Sequence, residues 1–248
     1  MTSGRPYGTH PKTALVVGGG IVGLTTAYAL CREGVKVTVF DDGANNQRAT
    51  SATAGIIGGS SVIPWASAKL WPQLPKKILE RDGPFRLSLP LPNGLIGFFR
   101  QSVQAGQDEG RNNSAAGLAN LGLRGWDAWQ DLLQDLPDAR ALFVQRGCLL
   151  YYESEADQAA DANGNALRRC LGMDLTELTG DEMRAALPPL TRPVASGVRI
   201  NLAGHVQDPM GLQDKLRDAI VAAGGKVVVT RVTSIDRTHG ERASITAK

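Results

Sequence analysis

Cysteine is scarce: three residues in 248, at Cys31, Cys148 and Cys170, odd in number and widely spaced. That fits reduced thiols in a cytoplasmic setting better than a disulfide framework. Histidine is equally scarce. His10, His205 and His239 stand apart from one another and from the cysteines, so no metal-ligand spacing arises and none of them is given a catalytic role. Charge of one sign is missing too: 27 basic residues against 24 acidic ones leave a net charge of +3. No basic run is interleaved with aromatic residues, which argues against a nucleic-acid groove. No apolar run approaches the ~20 residues that a membrane-spanning helix requires. Residues 1–12, with Gly4, Pro6, Gly8 and Pro11, lack the apolar stretch of a signal peptide and read as a disordered tail. A cytoplasmic location is expected, compatible with peripheral attachment to the inner face of a membrane.

What is present is globular in character, with 42% hydrophobic residues, 21% charged residues and 29 glycines. The run Ala14, Leu15, Val16, Val17 has the continuous apolar pattern of a central parallel strand buried on both faces. From Ile21 the spacing becomes helical, with Leu24, Tyr28 and Leu30 on one side and Gly34 placed for a left-handed cap. Val35, Val37 and Val39 then alternate into a strand that stops at Asp41 and Asp42. Residues 43–61 are small and polar without periodicity and read as a loop. Short helices and turns are expected over 64–92, and another helix starts near Leu95.

Further along, Leu118, Leu121, Trp126, Trp129, Leu132, Leu133 and Leu136 recur at three and four residues. They predict a long helix capped by Asn113 or Ser114 and ended by Pro137, with its tryptophans in the core. Residues 148–152 and 197–202 read as strands. Thr179 with Glu182 forms a capping-box pattern. Asp208 and Pro209 open a helix that carries Leu212, Leu216 and Ile220 and stops at Gly224 and Gly225, before a return to strand over 226–235.

Chemistry concentrates in Gly18, Gly20 and Gly23, a GxGxxG string between the first strand and the first helix. Gly18 permits the tight turn, Gly20 lets backbone approach a pyrophosphate, and Gly23 lets helix pack on strand. The helix start, Ile21 and Val22, offers unpaired N–H groups and a partial positive charge to phosphates. Asp41 follows about 20 residues later, where an acid accepts hydrogen bonds from ribose hydroxyls, with Asp42 as the competing candidate. A nicotinamide-binding domain would run on into a third parallel strand. This chain instead enters a string of small residues, 48–57, able to lie against a large planar cofactor, which points to FAD.

Residues 14–41, the loop ending in Thr53, Ala54 and Gly55, the Pro64-Trp65 pair, the segment 79–87 and the segment 204–216 together resemble the front part of D-amino-acid dehydrogenases of the D-amino-acid oxidase superfamily. The resemblance implies an α/β fold: a Rossmann-like FAD-binding βαβ domain (13–62 and 206–248) with an inserted α+β substrate domain (63–205). It implies that Gly18, Gly20 and Gly23 cradle the FAD pyrophosphate and that Asp41 holds the ribose. Thr50, Ser51 and Ala52 would touch phosphate and ribityl groups, Gly55 and Ile56 would lie near the isoalloxazine, and Val232 would meet the adenine through its backbone. Thr53 stands where many relatives have Asn, which changes the hydrogen bonding expected there.

The implied reaction is oxidation of a D-amino acid or related amine, with hydride passing from Cα to flavin and the imino acid then hydrolysing to a 2-oxo acid. No side chain is assigned to catalysis. The resemblance implies that the family's C-terminal part is missing from this chain. The expectation is therefore a fragment or one piece of a divided enzyme, with a second polypeptide as its partner and weak FAD retention by the chain alone. Two other readings stay open: a non-catalytic dinucleotide-binding or interaction subunit, and a NAD-dependent dehydrogenase.

Overall fold

The computed structural model describes residues 12–43, 49–58, 61–64, 94–237 and 243–248. The predicted turns over 65–92, His10, His239 and the N-terminal tail before Lys12 lie outside those residues. The chain divides into two units: Met1–Ile56, Asp131–Val144 and His205–Lys248 form the first, and Ile57–Gln130 with Gln145–Gly204 form the second. The division therefore differs from one drawn at residues 63 and 205 by the segment 131–144 and, at the boundaries, by 57–62 and His205. Local pairing explains the segment 131–144. Leu142 O accepts from Gln207 N–H at 2.9 Å, and Phe143 and Val144 pair with Val206 and His205.

In the first unit, β1 (Thr13–Val17), α1 (Ile21–Arg32) and β2 (Lys36–Asp41) form a βαβ unit with parallel strands. A 3-10 turn (Ala49–Ala52) and β3 (Ile56–Gly58) follow, so the small-residue loop carries short elements that its lack of periodicity concealed. α7 (Pro209–Ala222) leads into β9 (Lys226–Val229), which pairs parallel to β2, and the sheet order is β1-β2-β9. Here the structure corrects the sequence reading. β2 is the central strand, with Val35, Val37 and Val39 buried, whereas β1 has one described neighbour, and its Leu15 and Val17 are 46% and 47% exposed. The apolar run shared by both strands could not reveal which of them had a neighbour on each side.

The buried face of α1 is Leu24, Ala27, Tyr28 and Cys31. This stripe of three-and-four spacing takes Cys31 in place of the expected Leu30. Burial pushes the Cys31 thiol up, and all three cysteines are free. Gly34, at φ 77°, ends α1. α1 packs on α7, whose Leu212, Leu216 and Ile220 are buried as their spacing predicts. Asp208 caps α7 by accepting from Gly211 N–H at 2.8 Å, with Pro209 in its first turn. An antiparallel pair, β10 (Val232–Arg237) and β11 (Ala243–Ala247), closes the described chain.

The second unit holds α2 (Leu95–Ala105), most of α3 (Asp108–Asp135), and an antiparallel sheet of β5 (Cys148–Tyr152), β7 (Ser196–Ile200) and β6 (Leu175–Thr179) in that order. α3 starts earlier than expected. Gln107 O already accepts from Arg111 N–H at 2.8 Å, so Asn113 and Ser114 are helix interior rather than caps. Trp126 and Trp129 are buried as predicted, but Leu118 and Leu121 of the same stripe are exposed. Between the strands run α5 (Glu155–Cys170) and α6 (Gly180–Ala186). The Thr179–Glu182 capping box forms on α6, and its backbone and hydroxyl donors hold the Glu182 carboxyl below its usual value. The remaining elements, α4 (Pro137–Arg140) and the pair β4 (Phe143–Val144) and β8 (Ala203–Val206), are short.

Candidate functional site

The glycine turn lies between β1 and α1. Gly18 has φ 103°, a conformation that residues bearing a Cβ rarely adopt, and its N–H donates to Phe40 O at 2.8 Å. A Cβ on Gly23 would run into Gly18 O, so only glycine lets α1 start this close to the end of β1. Gly20 differs. It is the N-cap of α1, with φ −76° and ψ 177° and no side-chain cap, and a Cβ there would meet nothing within 4 Å. The first-turn N–H groups of an α-helix have no intrahelical acceptor. At Gly20 they therefore stand beside open space, which suits an anionic ligand. Ile21 and Val22 are the first two residues of α1, and Val22 is exposed.

Strand alternation puts Asp41 on the same side of β2 as Val37 and Val39, and its residue is 8% exposed. Its carboxylate accepts from Gly19 N–H at 2.5 Å and from Gly43 N–H at 2.9 Å. The competing acid Asp42 is exposed, so Asp41 is the acid that faces the glycine turn. An ionised carboxylate has roughly four lone-pair directions, and the two backbone donors fix how they point. Thr230 N–H donates to Asp41 O at 2.7 Å, which brings the start of β10, with Val232, to the same strand end.

The 3-10 turn carrying Thr50, Ser51 and Ala52 packs against α7. Next to it Gly55 is buried at φ 69°, where a Cβ would strike Val206 O, and Gly55 O accepts from Val206 N–H at 2.9 Å. Thr53 Oγ1 accepts from Gly55 N–H at 3.2 Å, a short side chain supplying the local turn contact. Ile56 presents an exposed apolar side chain beside it. Gly18, Gly20, Gly23, Asp41 and the 230–232 segment thus meet at one end of the sheet, while Thr50, Ser51, Ala52, Gly55 and Ile56 gather near the start of α7.

Two participants in this geometry were invisible to the glycine fingerprint. Gly19 occupies an unrestricted position of the motif, yet a Cβ there would lie 2.6 Å from Asp41 Oδ2. Arg217 on α7 donates from Nη2 to Gly19 O at 3.3 Å, a contact across 198 residues of sequence that no local pattern announces. Elsewhere, His205 lies in β8, and no group of three or more His, Cys, Asp or Glu is placed to hold a metal ion among the described residues. No described helix is long and apolar enough to cross a membrane.

The second unit holds a part-buried polar cluster. The Tyr152 hydroxyl donates to Asp161 Oδ2 and accepts from Asn165 Nδ2, both at 2.8 Å, and Arg168 Nη1 bonds Asp161 Oδ2 and Asn165 Oδ1 at 2.8 and 2.7 Å. Burial, reinforced by the Asp161 carboxylate, pushes the Tyr152 hydroxyl up. The four side chains bond one another, which is the pattern of a structural tie between β5 and α5.

A family model described as FAD dependent oxidoreductase matches residues 13–248. A D-amino-acid oxidase of Bradyrhizobium diazoefficiens is 27% identical over 242 residues, covering 93% of this chain and 54% of that protein. D-amino acid dehydrogenase 2 of Ralstonia nicotianae is 30% identical over 195 residues, covering 78% of this chain and 45% of that protein. The chain thus spans about half the length of the curated relatives it matches. Among solved structures, glycine oxidase from Geobacillus kaustophilus superposes with a TM-score of 0.61 at 20% identity over 96% of this chain and 52% of that one. L-alpha-glycerophosphate oxidase from Mycoplasma pneumoniae, with FAD bound, superposes with a TM-score of 0.62 at 14% identity over 96% of this chain and 50% of that one. These structures share the α/β fold.

Proposed function

From the premise that this chain belongs to the FAD-dependent oxidoreductase family, we propose that its glycine turn holds the FAD pyrophosphate and that the protein oxidises a D-amino acid or related amine. The observation that carries the cofactor reading is the contrast within the turn. Gly23 is closed off by Gly18 O, while Gly20, one helical turn earlier at the N-terminus of α1, borders open space. Steric closure on one side and room on the other are what a cradle for a diphosphate requires.

Each residue then has a defined part. The first-turn N–H groups of α1, at Ile21 and Val22, with Gly20 before them, bind phosphate oxygens, and the helix dipole favours their charge. Asp41, oriented by Gly19 and Gly43 N–H, accepts the ribose hydroxyls. Val232 meets the adenine through its backbone. Thr50 and Ser51 offer hydroxyl donors and Ala52 a backbone contact to the phosphate and ribityl groups. Gly55 and Ile56 form a small, apolar floor for the ring system. When bound, FAD would supply a two-electron acceptor for the hydride leaving the amine Cα, and the imino acid so formed would hydrolyse to a 2-oxo acid and ammonia. The substrate class rests on the names of the relatives, D-amino-acid oxidase and D-amino acid dehydrogenase, and no described side chain is given a proton-transfer role.

The test is a thermal-shift titration of the purified protein with FAD and with NAD, alongside visible absorbance of the protein as isolated. FAD is expected to raise the melting temperature and NAD to leave it unchanged. The opposite order would overturn the cofactor assignment. D- and L-amino acids and simple amines, offered with an artificial electron acceptor, then separate the substrate classes.

A further inference from the structure

We propose that Arg217 is a positioning residue for the cofactor turn: its guanidinium holds the peptide that precedes Gly20 so that the Gly20 N–H is presented to a phosphate. This deepens the FAD reading and rests on it. Arg217 sits on α7 with its side chain 20% exposed. Nη2 donates to Gly19 O at 3.3 Å. Two neighbours on the same helix hold the fork in place: Asp214 Oδ1 accepts from Nη1 at 2.6 Å, and Gln213 Oε1 accepts from Nη2 at 3.4 Å. Asp214 is exposed and Gln213 fully buried, so the guanidinium is tethered from both its solvent and its core side.

The two peptide units flanking Gly19 are therefore each fixed by a different element. Asp41, at the end of β2, takes the N–H of the first, and Arg217 takes the C=O of the second. In a planar trans peptide the C=O and the following N–H point in opposite directions. Directing Gly19 O toward α7 therefore directs Gly20 N–H away from it. A cationic donor on the carbonyl also polarises the peptide and strengthens its N–H as a donor. A run of three glycines, 18–20, has more backbone freedom than any other tripeptide. Holding it from two sides lowers the ordering cost that ligand binding would otherwise carry.

The experiment compares the full chain with Arg217→Met, Arg217→Lys and Asp214→Asn. FAD affinity is measured by fluorescence quenching, and amide hydrogen exchange is followed at Gly19, Gly20 and Ile21 without ligand. Losing one charge-assisted hydrogen bond is expected to weaken FAD about tenfold in Arg217→Met. Arg217→Lys, which keeps the charge and one donor, should recover part of that loss, and Asp214→Asn should lose about threefold. Exchange at Gly19, whose N–H is protected by Asp41, should accelerate in Arg217→Met while exchange in the second unit does not change. Unaltered FAD affinity together with unaltered Gly19 exchange overturns the proposal. Should Arg217→Met fail to fold, Asp214→Asn, altered only at an exposed side chain, decides the matter on both readouts. Failure of the FAD reading looks different: the unsubstituted chain would not bind FAD, and Gly19 exchange in the variants would still decide whether Arg217 holds the turn.

Discussion

The glycine turn of the first unit and the Tyr152 cluster of the second are both built from polar groups, but they place the demand for a partner differently. At the turn, Gly20 opens onto empty space at a helix start without a side-chain cap, so hydrogen-bonding capacity is aimed outward. In the cluster, Tyr152, Asp161, Asn165 and Arg168 direct their hydrogen bonds at each other. A ligand should therefore be felt at the first and hardly at all at the second. Mutually bonded polar side chains hold a fold together, whereas backbone groups left beside open space prepare a surface for binding.

Gly20→Val puts this contrast under the greatest strain. A branched side chain would occupy the phosphate position, although the first carbon added meets no protein atom within 4 Å. FAD affinity should fall by about 100-fold or more, while the melting temperature without ligand should change by only a few degrees (~2 °C). A large loss of stability in the ligand-free variant would show that the space is not open. Gly23→Ala should do the reverse, since its methyl overlaps Gly18 O. A denaturant titration should find it destabilised by about 3 kcal/mol, whether FAD is added or not.

Tyr152→Phe removes the hydroxyl between Asp161 and Asn165 and should cost about 1–2 kcal/mol with FAD affinity unaltered. A matching loss of affinity would couple the cluster to the turn and erase the distinction between them. The smallest effect belongs to Glu182→Gln. Hydrogen bonds from Thr179 hold the Glu182 carboxyl below the ordinary glutamate range. Its contribution is therefore present above that range and disappears as pH falls through the lowered value. The melting temperature of Glu182→Gln should trail slightly at neutral pH and coincide with that of the unsubstituted protein in strong acid.

Much of the first unit was legible because its signals are local. The GxGxxG string, Gly34, Asp208 with Pro209, and the three-and-four spacing of Leu212, Leu216 and Ile220 each act within a few residues of their own position. Relations between distant segments were not legible. Whether β1 or β2 lay at the centre depended on where β9 pairs, and Arg217 reaches Gly19 only after α7 has packed on α1. In the second unit α5 went unread for another reason. Its helix is polar, and its capping box uses Ser154 with Asp157 in place of the usual Glu or Gln. The site was thus readable as a motif but not as an assembly: the glycines announced a turn, and only tertiary packing showed what restrains it.

In the ladder between β1 and β2, Val17 pairs with Phe40, one residue before Asp41. Successive residues of a strand face opposite ways, so a slip of β2 along β1 by a single residue would exchange the carboxylate for the Phe40 ring at the mouth of the turn. The chemistry of the site is therefore only as accurate as the alignment of two valine-rich strands. Substitutions in β1 that never touch a ligand can misaddress it by shifting that alignment one step.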